Sequence, residues 1–234
     1  LEEGKIRLRQ RLQPFVFLKG CYLMGKITGL KAGKSREKRI DVFLDGKLAF
    51  GMTADLALKE GLKVGQELSE SRLEALAGLD RYQRCLNAAI RYLEYRPRSE
   101  AEIRKRLQRH GFDNDCTEKT LARLKEQGLV DDTVFARFWK DNREAFSPRS
   151  RRLTKLELRR KGLNSDIVEQ VVSEVDDSDS AYRAAINRAR RLSPADYQDF
   201  RRRLGEHLGR RGFSYDIIKE AIERVWKEYS TVLK

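Results

Sequence analysis

The chain has 234 residues, 40% of them hydrophobic and 37% charged, and its 50 Lys and Arg outweigh 36 Asp and Glu to give a net charge of +14. That length admits one large domain or several small modules, and so high a charged fraction suits thin helical modules with much exposed surface. The charge and a pI near 9.8 favour a polyanionic partner, either nucleic acid or an acidic protein surface. No apolar run approaches the roughly 18 residues of a membrane span, and Cys21, Cys85 and Cys116, widely spaced and without a Cys-x-x-Cys pair, read as reduced thiols of a cytoplasmic protein.

In chain order, Phe15–Met24 is apolar but broken by Lys19 and carries no signal-cleavage pattern. Met24 opens a new phrase, so residues 1–23 read as an upstream or appended segment. From Met24 to Met52 the pattern turns to period two. Lys26–Leu30, Arg39–Leu44 and Lys47–Met52 read as strands, with Asp45-Gly46 as a tight hairpin turn. Thr53–Gly61 and Ser69–Leu79 read as helices. Residues 24–80 thus form a small β-rich cap, too small to be stable alone, which shields one end of a repeat array or offers a second contact surface. Gly33-Lys34-Ser35 has the look of a phosphate loop, but Gly29 lies one residue too close and a charged strand follows where a helix is required.

Beyond residue 80 a phrase recurs three times, about fifty residues apart, the spacing of stacked helical modules. It runs Leu107, Gly111, Phe112, Asp115; then Leu158, Gly162, Leu163, Asp166; then Leu208, Gly212, Phe213, Asp216. The leucine ends one apolar helical face, and the glycine closes that helix in the left-handed conformation. The aspartate is placed to cap the next helix. Ile167, Val168, Val171, Val172 and Val175, and later Ile217, Ile218, Ala221, Ile222 and Val225, mark single buried stripes. Upstream, Pro97-Arg98-Ser99 and Pro148-Arg149-Ser150 precede basic helices, and Ser193-Pro194 stands in the third copy. Tyr82–Glu94, Thr133–Phe146 and Asp179–Leu192 supply one more amphipathic helix each. The fold class is mainly α, a tandem array of three three-helix modules at 81–130, 131–176 and 177–234 behind the β-rich cap.

The middle helix of each module is basic, with Arg104, Lys105, Arg106 and Arg109; then Arg149, Arg151, Arg152, Lys155, Arg159, Arg160 and Lys161; then Arg201, Arg202, Arg203, Arg210 and Arg211. Arg151, Lys155 and Arg159 form one ridge with Arg152 beside it, suited to phosphates or carboxylates and poor in sequence information. The third helices are balanced in charge, unlike a helix that reads the major groove. The candidate polyanion-binding residues, for DNA or an acidic protein surface, are Arg151, Arg152, Lys155, Arg159 and Arg160, with Arg201, Arg202, Arg210 and Arg211 as a second anchor. No catalytic, metal-binding or cofactor-binding constellation is visible. The two histidines, His110 and His207, stand apart from any ligand set. Asp131-Asp132 and Asp176-Asp177 read as helix caps in preference to nuclease carboxylates. Phe135, Phe138, Trp139, Tyr92 and Tyr95 have core spacing more than base-stacking spacing.

The run Tyr92-Leu93-Glu94-Tyr95-Arg96-Pro97-Arg98-Ser99-Glu100, together with Leu107, Gly111-Phe112, Gly128-Leu129-Val130-Asp131-Asp132, Phe135-Ala136 and Leu158-Arg159-Arg160-Lys161-Gly162-Leu163, resembles the RecX family of RecA regulators. The resemblance covers about Arg84 to Glu228, and the N-terminal hairpin is similar to an extension found in some members. The acidic, serine-rich joint at Asp176–Ser180 departs from the pattern. The resemblance implies a monomer that lies in the helical groove of a RecA filament on single-stranded DNA. It further implies restraint of filament growth, ATP hydrolysis, co-protease activity and strand exchange, with no chemistry of its own. The alternative is a free-standing DNA- or RNA-binding regulator built from helix-turn-helix-like modules.

Overall fold

The hairpin turn falls where the sequence places it. Asp45 (φ 49°) and Gly46 (φ 81°) adopt the paired left-handed conformations of a turn matched to twisted strands. In a computed structural model, which describes residues 24–33, 39–192 and 196–232, this turn joins β2 (Arg39–Leu44) to β3 (Lys47–Thr53). Residues 1–23 with Cys21, Lys34-Ser35 of the phosphate-loop look-alike and Ser193-Pro194 lie outside the described residues. With β1 (Met24–Ala32) and a short β4 (Glu67–Ser69) that the sequence pattern did not show, the strands form an antiparallel sheet in the order β3-β2-β1-β4.

Contacts divide the chain into two compact units, Leu1–Tyr95 with Arg104–Glu126, and Arg96–Ile103 with Gln127–Lys234. In the first, Ile27, Val42, Phe50 and Met52 line one face of the sheet. They meet Leu56 of α1 (Ala54–Lys59) and Leu76 of α2 (Glu70–Leu93). The sequence reading breaks α2 into two helices near Leu79. The structure shows one helix of 24 residues, because nothing in that stretch forbids continuation. Exposed Gly78 costs about 1 kcal/mol in helix propensity without ending a helix. Asp80, 1% exposed, anchors the middle of α2 to the sheet by accepting from the Thr53 amide at 2.9 Å and approaching Arg39 Nη2 at 3.5 Å. The second half of α2 buries Cys85 and Ala89 and packs on α4 (Asn114–Glu126). Cys85 and Cys116 are buried free thiols, and burial pushes Cys116 up to about 12.

The remaining helices are α3 (Glu100–Arg109), α5 (Asp132–Phe146), α6 (Arg151–Arg160), α7 (Ser165–Ser173), α8 (Asp177–Ala189), α9 (Tyr197–Arg210) and α10 (Tyr215–Val232). The repeated phrase folds alike each time. Leu107, Leu158 and Leu208 are fully buried, and each accepts at its carbonyl from the amide just past the glycine, at 3.2, 3.4 and 3.4 Å. Gly111, Gly162 and Gly212 have φ of 83°, 81° and 85°, the left-handed closure that spares them a Cβ clash.

The aspartates play a different part from the one expected. Asp115, Asp166 and Asp216 lie inside the first turn of the next helix, where they favour the positive end of its dipole. The capping side chains in the first two copies come two residues earlier, where the backbone is still outside the helix. Asp113 accepts from the Cys116 amide at 2.8 Å and Asn164 from the Asp166 amide at 2.9 Å.

Within the second unit, Pro-Arg-Ser segments are joints. Fully buried Ser99 donates to the Lys161 carbonyl at 2.7 Å, and the Glu100 amide donates to Asp132 at 2.8 Å. The next copy repeats this, with the Ser150 amide on the Arg211 carbonyl at 3.0 Å and the Arg151 amide on Asp177 at 2.6 Å. A Cβ placed on Gly162 would lie 2.4 Å from the Ala101 Cβ, and one on Gly212 would lie 2.7 Å from Ser150 Oγ. Two of the three repeat glycines therefore admit a neighbouring helix as well as a turn. The acidic pairs divide their labour. Asp131 and Asp176 cap their own helices, while Asp132 and Asp177 cap α3 and α6.

Candidate nucleic-acid interface

A basic helix makes an anion-binding face only where its cations are not already neutralised. On α6 the ridge exists, but much of it is engaged. The Arg151 guanidinium donates to the Val175 carbonyl at 2.7 and 3.2 Å, tying down the end of α7. Lys155 and Arg159 share Glu169 of α7, the latter at 3.3 Å, and Lys155 leads in holding the Glu169 carboxyl below its ordinary value. Arg152 and Arg160 are exposed and have no partner among the described residues.

The α9 anchor splits similarly. Arg202 and Arg203 bracket Asp199 at 2.7 and 2.8 Å, Arg202 also reaches Glu206 at 3.5 Å, and Arg201 donates to the Tyr215 hydroxyl at 3.3 Å. Hydrogen bonding from Arg203 is the main cause that keeps the Asp199 carboxyl low. At the other end of α9, Arg211 faces a concavity of about 410 Å³ and, with Arg210, an adjoining one of about 240 Å³, and the two share His207 and Arg211. Arg211 is held in place. Its Nε donates to His207 Nε2 at 2.9 Å, and its Nη1 donates to Ser147 Oγ at 3.0 Å and the Pro148 carbonyl at 2.8 Å.

Arg188, Arg190 and Arg191 complete this cleft, with Phe146 at its edge, 80% exposed. The sequence reading, confined to the middle helices, passes over all four. The signal was the Arg188-Ala189-Arg190-Arg191 run at the end of α8. Among the described lining residues none is acidic. Burial, then Arg211, Arg188 and Arg210, push His207 down to about 4, so it is neutral near pH 7 and able to accept from Arg211. Burial, then Arg149 and Arg143, lower Arg211 from its ordinary value.

The corresponding positions of the preceding helix triplet carry carboxylates. Glu157 accepts from Trp139 Nε1 at 2.9 Å, from Arg143 at 2.8 Å and from Arg149. Glu102 takes Arg96 at 3.0 Å and Lys161 at 2.6 Å. Burial pushes the Glu102 carboxyl up, but these two cations outweigh it and leave the group below its ordinary value. Trp139 is packed on Phe135, with Arg143 and Lys161 each 4.6 Å from its ring, and Phe135 is buried. Those aromatics are core. A further basic cleft in the first unit, about 350 Å³, is lined by Arg84, Arg91, Tyr92, Arg106 and His110. Among the described residues no group of three or more His, Cys, Asp or Glu could hold a metal, and no helix is long and apolar enough to cross a membrane.

A curated relative, regulatory protein RecX of Clostridium botulinum (strain Eklund 17B), is 32% identical over 206 residues, which span 86% of this chain and 96% of that one. The chain belongs to the RecX family. Family models match in three places, the RecX N-terminal domain at residues 25–69, the first RecX three-helix domain at 85–124 and the third at 174–222. Among solved structures, a regulatory protein RecX shares the fold with a TM-score of 0.59 at 23% identity, over 85% of this chain and 99% of that one. RecX from Lactobacillus salivarius gives a TM-score of 0.51 at 25% identity, over 62% of this chain and 97% of the other. Within the RecX frame, Arg152 and Arg160 on α6, and Arg210 with Arg188, Arg190 and Arg191 around the α8–α9 cleft, are cations without an ion-pair partner among the described residues.

Proposed function

We propose that this RecX-family chain binds a RecA filament assembled on single-stranded DNA, lies in its helical groove as a monomer, and restrains filament growth, ATP hydrolysis, co-protease activity and strand exchange. It acts in the cytoplasm, by binding, without chemistry of its own. The β-rich cap at 24–80 and modules at 81–130, 131–176 and 177–234 are its working parts. The observation that carries the reading is family membership combined with cations that the fold leaves unneutralised on α6 and α9. A ligand that prefers one filament state shifts the population toward that state, so a passive binder suffices for regulation.

Arg151, Arg152, Lys155, Arg159 and Arg160, with Arg201, Arg202, Arg210 and Arg211, form the proposed contact set. Arg152, Arg160 and Arg210 meet the partner directly. Arg211, held by His207, Ser147 and Pro148 through Nε and Nη1, meets it through Nη2, and Arg151, held by the Val175 carbonyl, shapes the surface around them. The test is RecA-catalysed ATP hydrolysis on single-stranded DNA titrated with the chain, beside binding to the same DNA without RecA. Inhibition far below the concentration that coats bare DNA is the expected result. Inhibition only at DNA saturation would replace this reading with the free-standing nucleic-acid binder.

A further inference from the structure

We propose that the cleft between the C-terminal ends of α8 and α9 and the Phe146–Arg149 turn binds a short segment of single-stranded nucleic acid, with one phosphodiester against Arg188, Arg210 and Arg211 and one base on the Phe146 ring. The proposal deepens the reading above by naming a DNA contact, and rests on it only for the class of partner.

Three observations converge. First, arginines gather here without a carboxylate among the described lining residues, whereas Lys155 and Arg159 of α6 and Arg202 and Arg203 of α9 are ion-paired. The carboxylate that reaches Arg149, Glu157, is already shared with Arg143 and Trp139. Crowded like charges raise the energy of the folded state, and a bound anion relieves this. Second, the Arg211 guanidinium is pre-set. Three of its N–H groups are held by His207, Ser147 and Pro148, and those on Nη2 have no acceptor among the described residues. A fixed fork of this kind suits a phosphate oxygen and loses little freedom on binding. Third, the same cleft has Phe146 on its rim, 80% exposed. A ring beside arginines accepts a base face, which single strands expose and duplexes hide. An acidic protein segment would use the arginines and leave the ring idle.

The test is fluorescence anisotropy of the full chain, without RecA, on a labelled oligothymidylate and on an abasic oligomer of equal length, across a salt series. Phe146→Ala is expected to weaken oligothymidylate binding about tenfold while leaving abasic binding unchanged, and Phe146→Tyr to retain wild-type affinity. Arg188→Glu with Arg210→Glu should weaken both probes and lower the salt slope by about 0.7, the share of one phosphate. Circular dichroism confirms that each variant is folded. Wild-type affinity of Phe146→Ala for oligothymidylate would overturn the proposal. So would displacement of the oligomer by polyglutamate as readily, charge for charge, as by unlabelled single-stranded DNA. Because no filament is present, a failed ATPase titration would sink the RecA reading and leave this result standing.

Discussion

The residue before each repeat leucine is Glu157 in the second helix triplet and His207 in the third, and the residue before each glycine is Lys161 and then Arg211. In the second triplet Glu157 gathers Trp139, Arg143 and Arg149, and Lys161 is paired with Glu102. In the third, His207 accepts from Arg211, and the surrounding arginines line an open cleft. The turn, the buried leucine and the left-handed glycine are the same in both. Architecture and surface chemistry are therefore set by different residues of one repeat, and the carboxylates of Glu157 and Glu102 separate a neutralised cluster from an open cationic cleft.

Glu157 is the position on which the second triplet depends most. Its side chain is 11% exposed, and Glu157→Ala leaves three buried or half-buried donors without their acceptor, which should cost about 3 kcal/mol. Urea unfolding of wild type and variant measures it. A cost below about 1 kcal/mol would mean that the closed cleft is not held by its carboxylate.

The glycines come next. Gly212→Ala and Gly162→Ala combine a left-handed backbone with a contact under 3 Å, whereas Gly111→Ala meets nothing within 4 Å. The first two should each lose about 2 to 3 kcal/mol and Gly111→Ala about 1. Equal losses would show that the turn alone matters. In the opposite direction, His207→Glu supplies the third cleft with the missing carboxylate. It should stabilise the protein by about 1 kcal/mol through Arg211 and weaken binding of single-stranded DNA. Thermal melting and anisotropy read the two effects.

The smallest effect is that of pH. The unfolded chain titrates His207 near 6.5, whereas in the fold it titrates at about 4. The unfolded state therefore binds more protons between these values, and stability falls as pH drops from about 6.5 to 4. With solvent screening the loss is about 1 kcal/mol. His207→Gln should flatten that part of the stability profile. Glu102, lowered in the fold, acts in the same direction but only at pH below its ordinary carboxylate range, so the two are separable by pH.

The repeat phrase made the three helix triplets legible because each of its members acts locally. Leu158, Gly162 and Leu163 dictate a helix end whatever surrounds them. The hairpin was legible for the same reason. What the pattern missed is long-range. Asp132 and Asp177 read as capping residues from sequence, but no spacing rule shows that they cap helices 32 and 26 residues away. The fourth strand, Glu67–Ser69, is three residues long and exists only by pairing with Met24–Lys26. The basic surface was legible as composition and only half legible as a site. Glu169 and Asp199, which neutralise parts of it, act across a helix interface or one helical turn away. Arg188, Arg190 and Arg191 matter only because α8 ends beside α9, which no period in the sequence announces.

The borrowed caps impose an order on synthesis. The first turn of α3 draws on Asp132 and, through Ser99, meets the carbonyl of Lys161. The first turn of α6 likewise waits for Asp177 and Arg211. A nascent chain that has emerged only as far as residue 126 has its β-sheet and α2 but lacks the groups that seal the start of α3. Each of these two joints is completed by the triplet that leaves the ribosome after it, so a premature stop both removes the downstream helices and uncovers the start of a basic helix in the module already made.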